Sequence, residues 1–368
     1  MNLTDILLGI TEKLELSDTQ LSNIEKSYRA VGEWLNESET IKQYGKVTIF
    51  PQGSVGLGTV VKPINGEYDV DLVLYLDNAS IPAKQLKQLV GNRLKENETY
   101  KRLLDDEGKR CWTLIYSDSL NYHMDILPTK KDISPVGFSG IKSILATNKD
   151  EYGTYYFKST NPSGYLNWFL TKAKRIQLRD SYELKPLNEY PHKNNLQKIV
   201  QLLKRHRDVY FDKKNITDDL PISIIITTLA ALAYEGETDL FNGLYGVAHR
   251  MNLYVEDKNN ITYVKNPVDP RENFAERWNE NNNKKRNYYM WQSDLVNDLK
   301  RIKSTNSTNL AMILQRVFGE KIVVSVYDSL GESLRSLREE GHLKMDNHTG
   351  KLNDSKGEGV KPHTFYGK

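Results

Sequence analysis

Apolar residues recur at spacings of three and four across residues 17–36, as Leu21, Ile24, Tyr28, Val31 and Leu35. They follow Ser17-Asp18-Thr19-Gln20, which has the form of a capping box, so the stretch predicts an amphipathic helix. The pattern then shortens. Residues 46–51 predict a strand, 55–61 the opening of a short helix, and 69–76 a second strand apolar enough for a core. Residues 82–97 return to helical spacing through Leu86, Leu89, Val90 and Leu94. Two more strands are predicted over 111–116 and 122–128, with Ser117-Asp118-Ser119-Leu120-Asn121 as a hairpin turn between them.

From 129 to 165 the chain is rich in Lys, Ser, Gly, Asn and Pro, which predicts a loop crossing between two parts of the molecule. Beyond it the periodicity is helical, over 162–175, 194–211, 220–234, 239–253, 271–282, 286–303 and 308–318. The run Pro221-Ile222-Ser223-Ile224-Ile225-Ile226-Thr227-Thr228-Leu229-Ala230-Ala231-Leu232 is apolar on nearly all sides. Its β-branched residues allow a strand, but its length and Ala-rich second half favour a buried central helix. Residues 341–368 carry few large apolar side chains and predict a flexible tail. The expected organisation is an α/β module over 1–150 with an N-terminal helix as its spine, a helical part over 151–340, and the tail.

Composition narrows the partners. The 51 Lys and Arg residues nearly balance the 48 Asp and Glu, giving a net charge of +3, too mild for a protein that coats nucleic acid. The basic groups Lys284-Lys285-Arg286 and Lys300-Arg301-Ile302-Lys303 are short and far apart, so no nucleic-acid activator is expected. The single cysteine, Cys111, excludes an internal disulfide and any multi-cysteine zinc site, and the histidines show no ligand spacing among themselves. No run approaches the roughly 18–20 apolar residues of a membrane span, and the start lacks a secretory pattern. A cytoplasmic protein without a membrane partner is expected.

The candidate chemistry lies in residues 51–76. Gly53-Ser54-Val55-Gly56-Leu57-Gly58-Thr59 is a small-residue turn after a predicted strand, where glycines admit a ligand close to the backbone and exposed N–H groups favour anions. Downstream, Asp69 and Asp71 are two apart on a predicted strand and therefore share a face. Asp is depleted in strands, and two like charges so close raise each other's cost of ionisation. A divalent cation relieves that cost, and carboxylate oxygens suit Mg²⁺ bound together with substrate phosphates. Asp125, on a later predicted strand, supplies a third carboxylate. A phosphate cradle beside such a set describes nucleotidyl transfer, in which two metals clamp the attacking and leaving oxygens.

These residues resemble the DNA-polymerase-β-like nucleotidyltransferases. Pro51-Gln52-Gly53-Ser54 through Asp69-Val70-Asp71, with His123-Met124-Asp125-Ile126-Leu127-Pro128, Asn266-Pro267-Val268 and Glu272-Asn273-Phe274-Ala275-Glu276-Arg277-Trp278, is similar to the bacterial cGAS/DncV-like branch, the CD-NTases of CBASS anti-phage systems. The resemblance implies an α+β fold: a two-lobed polymerase-β-like core with a mainly helical second lobe. It implies that Gly53 and Ser54 hold donor phosphates, that Gln52 touches a nucleotide, and that Asp69, Asp71 and Asp125 hold two Mg²⁺ ions, with Mn²⁺ as a substitute. Asp125 would also serve the attacking hydroxyl. Lys204 and Ser223 are the corresponding triphosphate contacts from the helical part. The implied partners are ribonucleoside triphosphates (ATP, GTP or both, with pyrimidine nucleotides left open), a separate effector for a cyclic di- or trinucleotide, and an operon-encoded protein acting on the C-terminus. Two other readings stay open at this point: a toxin-like transferase modifying tRNA, protein or a small molecule, and an inactive nucleotide-binding scaffold. The intact carboxylates argue against the scaffold.

Overall fold

A computed structural model describes residues 3–64, 67–78, 80–116, 121–133, 143–173, 193–348, 350 and 352–360. A mixed sheet holds β1 (Val47–Gln52), β2 (Tyr68–Leu76), β3 (Trp112–Tyr116), β4 (Tyr122–Lys131), β5 (Ile144–Lys149) and β6 (Tyr155–Thr160). Its order is β1-β2-β4-β5-β6, with β3 also paired to β4. Only β2 and β4 run parallel; the other pairs are antiparallel. β4 is long enough to hold β3 along its first half and β5 along its last three residues.

Alternation along the strands separates two faces. Val70, Leu72 and Leu74 on β2, with Met124 and Ile126 on β4, enter one apolar cluster. Helices α2 (Asp18–Asn36) and α5 (Ala83–Lys95) add Ile24, Tyr28, Val31, Leu86 and Val90 to it. The capping box of α2 forms as the sequence predicts: Ser17 and Gln20 each bond the other's backbone N–H. Short helices α3 (Glu39–Lys42), α4 (Gly53–Leu57) and α6 (Glu98–Leu103) complete this side. The opposite face carries Asp69, Asp71 and Asp125.

A second cluster gathers the helical side. It draws on α1 (Leu3–Leu14), α7 (Pro162–Lys172), α8 (Asn195–Lys213), α9 (Ser223–Ala233), α10 (Leu240–Arg250), α12 (Asn282–Ser304), α13 (Ser307–Phe318) and α14 (Glu320–Glu339), with the five-residue α11 (Glu276–Glu280) beside them. The all-apolar stretch is the helix α9, and its threonines are accommodated locally: Thr227 and Thr228 donate to the carbonyls of Ser223 and Ile224, one turn back.

Several expectations change. The 129–165 loop contains β5 and β6, a hairpin whose mixed polar and aromatic sequence lacks clean alternation because β6 is a partly exposed edge strand. The expected helix over 271–282 is split. Residues Asp269–Asn273 form β10 against β9 (Lys265–Asn266), next to the small hairpin β7 (Glu256–Lys258) and β8 (Ile261–Tyr263). Asn273 ties this region by accepting from the N–H of Val264 and donating to the carbonyl of Thr262. Helices α1 and α14 lie outside the sequence-based expectations; they pack on one another, so each supplies the other's apolar partner. Within the expected tail, β11 (Lys344–Met345), β12 (Leu352–Asn353) and β13 (Glu358–Gly359) form a small antiparallel sheet. The last eight residues, 361–368, lie outside the described residues.

Candidate active site

One row of side chains crosses four strands. Gln52 pairs with Asp71, Asp71 with Asp125, and Asp125 with Thr113. Directly opposed residues in a sheet share a face, so the parallel register of β2 and β4 places the two carboxylates side by side. Asp69 lies two residues before Asp71 on that face, opposite His123, which contacts Glu67. Thr113 Oγ1 donates to Asp125 Oδ1 at 2.5 Å and fixes the orientation of that carboxylate.

The turn closes against this row. Gly53 has φ +62°, and a Cβ there would sit 1.9 Å from Asp71 Oδ2, so this position requires glycine for both conformation and space. Gly58 ends α4 in the left-handed region at φ +65°. From the helical side, α8 presents Gln197, Gln201 and Lys204 along one stripe. Gln197 donates to the carbonyl of Leu57 (2.8 Å), Lys204 to that of Thr59 (3.0 Å) and Gln201 to that of Val60 (2.7 Å). All three side chains are buried, and together they hold the chain that leaves the turn.

Gly53, Ser54, Asp69, Asp71, Lys204 and Ser223 line one cavity of about 220 Å³. Gln52, Gly53 and Asp71 also border a larger cavity of about 840 Å³ between the sheet and the helices. Sequence reasoning missed four contributors. Arg207, read as a solvated neighbour of Lys204, is half-buried in the smaller cavity and donates to Ser223 Oγ (3.2 Å) and the carbonyl of Pro221 (3.0 Å). Its position three residues after Lys204 puts both on one helix face, which was the available signal. Thr113 and the two glutamines carried none, because only tertiary pairing gives them partners.

Electrostatics follow from the crowding. Burial, then Asp125 and Asp69, push the Asp71 carboxyl up to about 7. Asp69 is also raised, first by the protein mass around it and then by Asp125, although its side chain stays open to solvent. Burial and the neighbouring Arg207 bring Lys204 down to about 7. Cys111 borders the larger cavity, and burial pushes its thiol up to about 12, so it is a neutral wall rather than a nucleophile. Three carboxylates on one face, with Asp69 and Asp71 held above their ordinary values even beside Lys204, are an all-oxygen donor set that fits a divalent cation. His206, Asp294 and Asp298 also approach one another, but they fit no metal. Trp291 Nε1 donates to His206 Nδ1 (3.0 Å), so the ring proton sits on Nε2, facing Asp298, and that nitrogen has no free lone pair. Asp298 is further paired with Arg301 and Arg316.

Residues 1–172 match the model of the Second Messenger Oligonucleotide or Dinucleotide Synthetase domain. Over 384 aligned positions, covering 99% of this chain and 97% of the relative, the sequence is 29% identical to a c-di-GMP synthase of Roseivirga ehrenbergii. On these two matches the chain is a nucleotidyltransferase of the kind that makes cyclic oligonucleotides, similar to the CD-NTases. Solved structures share the fold: the Bradyrhizobium diazoefficiens CD-NTase CdnG in complex with GTP has a TM-score of 0.69 at 19% identity, covering 89% of this chain and 99% of that one. The 3′-deoxy-GTP-bound form of Escherichia coli DncV has a TM-score of 0.59 at 16% identity, covering 84% and 93%. The expected polymerase-β-like core with a helical second lobe is therefore the fold of this chain. None of its described helices is long and apolar enough to cross a membrane.

Proposed function

We propose that this protein joins two GTP molecules into cyclic di-GMP with release of two pyrophosphates, as a cytoplasmic second-messenger synthase in anti-phage defence. The base is the one in the product named for the similar Roseivirga protein. Each step forms a bond from a ribose hydroxyl oxygen to the α-phosphorus of a donor triphosphate and breaks the bond from that phosphorus to pyrophosphate oxygen. Gly53 and Ser54 hold the donor's terminal phosphates, Lys204, Arg207 and Ser223 meet them from the helical side, and Gln52 touches the nucleotide beside the turn. Asp69, Asp71 and Asp125 are the residues that would hold two Mg²⁺ ions, which supply charge neutralisation at the attacking and leaving oxygens. Asp125, held by Thr113, takes the proton of the attacking hydroxyl. We take 1–150 as the catalytic lobe, 151–340 as the closing lobe and 341–368 as the tail on which an operon-encoded protein acts. The sheet-side apolar cluster, whose buried members lie between Leu16 and Ile126, supports the first of these, while α1 packs into the helical cluster of the second.

The observation that carries the reading is the pairing of Asp71 with Asp125 beside the Gly53 turn. The test incubates the protein with all four ribonucleoside triphosphates and Mg²⁺, treats the mixture with phosphatase and identifies the survivors by mass spectrometry. A resistant cyclic dinucleotide that is absent from Asp69→Asn/Asp71→Asn is expected. A linear or acceptor-linked product instead, formed with cell extract, would replace this reading with the transferase one.

A further inference from the structure

The larger cavity reaches Asp71 at one end and meets a set of unsatisfied polar groups at another. Glu272, on β10, is nearly enclosed. Its Oε2 accepts from Thr160 Oγ1 (3.0 Å) and Asn266 Nδ2 (2.9 Å). Its Oε1 stands 3.8 Å from Arg110 Nη2, too far for a hydrogen bond. Arg110 Nε and Asn161 Nδ2 are enclosed by protein and have no hydrogen-bond partner among the described residues. Asn161 Oδ1 is committed to capping α7, where it accepts from the N–H of Gly164 at 2.8 Å.

A purely structural Arg–carboxylate pair would close to a fork at roughly 2.7–2.9 Å. This one stays open, on a wall of the cavity where the Arg110 side chain is 35% exposed. The cavity thus offers one spare carboxylate oxygen and the Nη edge of a guanidinium, between apolar walls that include Phe157 and Phe274. A flat ring with donors and acceptors fixed along its edge matches that set. Guanine presents O6 and N7 side by side to a guanidinium, and N1–H and N2–H to a carboxylate. Adenine carries an amino group where guanine carries O6, which would set donor against donor at Arg110.

We infer that Arg110 and Glu272 are the specificity-determining residues for guanine, with the Arg110 Nη atoms donating to the O6/N7 edge and Glu272 Oε1 accepting from N1–H or N2–H. This rests on the reading of the site as a nucleotide cleft, and it names residues that the catalytic row does not include.

The test measures binding rather than turnover. The full chain is titrated calorimetrically with 3′-deoxy-GTP and 3′-deoxy-ATP in the presence of Mg²⁺, for wild type, Arg110→Met, Arg110→Lys and Glu272→Gln. Wild type is expected to prefer the guanine analogue by about tenfold or more, the size of one good edge contact. Arg110→Met and Arg110→Lys are expected to lose most of that preference, while affinity for the adenine analogue changes little. Glu272→Gln should act in the same direction, and melting curves identify any loss of folding from its contacts to Thr160 and Asn266. An unchanged preference in both folded Arg110 variants would overturn the assignment, as would a wild type that prefers adenine or a pyrimidine. Selective guanine binding without a cyclic product would instead sink the synthase reading and leave the base assignment standing.

Discussion

Asp71 and Lys204 face one another across the cleft with opposite demands on pH. In the folded, metal-free protein Asp71 holds its proton to about pH 7, whereas the unfolded carboxyl releases it near 3.8. Its contribution to stability is therefore full below about pH 4 and is lost as pH rises through 7. Lys204 has the reverse sense: its folded value is about 7 against 10.5 unfolded, so stability is recovered as pH rises from 7 towards 10.5. Metal-free protein should accordingly show a minimum of melting temperature near pH 7. Asp71→Asn should remove the acid limb, Lys204→Met the alkaline one, and Mg²⁺ should raise stability more at pH 8 than at pH 5. A wild-type melting profile without a minimum would refute the electrostatic account. Thr113 belongs to the same scale. Thr113→Val loses a hydrogen bond to a charged group, so kcat should fall roughly tenfold or more with the KM for GTP nearly unchanged. Equal losses in both would make Thr113 a folding residue only.

At the level of elements, α8 holds the turn after Gly53 through three backbone carbonyls. Gln197, Gln201 and Lys204 succeed one another at four and three residues, so one helix face meets residues 57, 59 and 60. Gln197→Leu and Gln201→Leu each leave a buried carbonyl unpaired, at a cost of about 1–3 kcal/mol in denaturant unfolding. They should also raise the KM for GTP more than they lower kcat if, as proposed, the turn holds phosphate. An unaltered KM in both variants would reduce the stripe to packing. Gly58 shows how tight this contact is, since a Cβ there would lie 2.6 Å from Gln197 Nε2.

Across the whole molecule, the small β11–β13 sheet contributes to none of the apolar clusters, which are complete by Leu330. A chain ending at Glu340 should keep its nucleotidyl transfer and melt within a few degrees of the full chain. Loss of product from a folded truncation would show that the tail completes the site. The same scale explains the assembly of the cleft: α1, first in the sequence, packs with α14 and α8, so the helical cluster closes only when the chain ends meet.

Sequence by itself determined the chemistry that is local. Asp69 and Asp71 share a face because a strand repeats every two residues. Gly53 and Gly58 announce the turn because their backbone conformations exclude most side chains. The α9 helix was legible from length and apolarity, and the capping box of α2 from four residues. Tertiary structure decided what depends on partners distant in the chain. The parallel register of β2 and β4 sets Asp125 opposite Asp71, where sequence offered only a third carboxylate. The β5–β6 hairpin was hidden because an edge strand need not alternate, and β10 because side-chain bonds from Asn273, rather than periodicity, secure its end. Arg110 and Glu272 are 162 positions apart and carry no shared motif. Only the folded cavity sets them on one wall, because hydrogen-bond satisfaction is a property of three-dimensional neighbours.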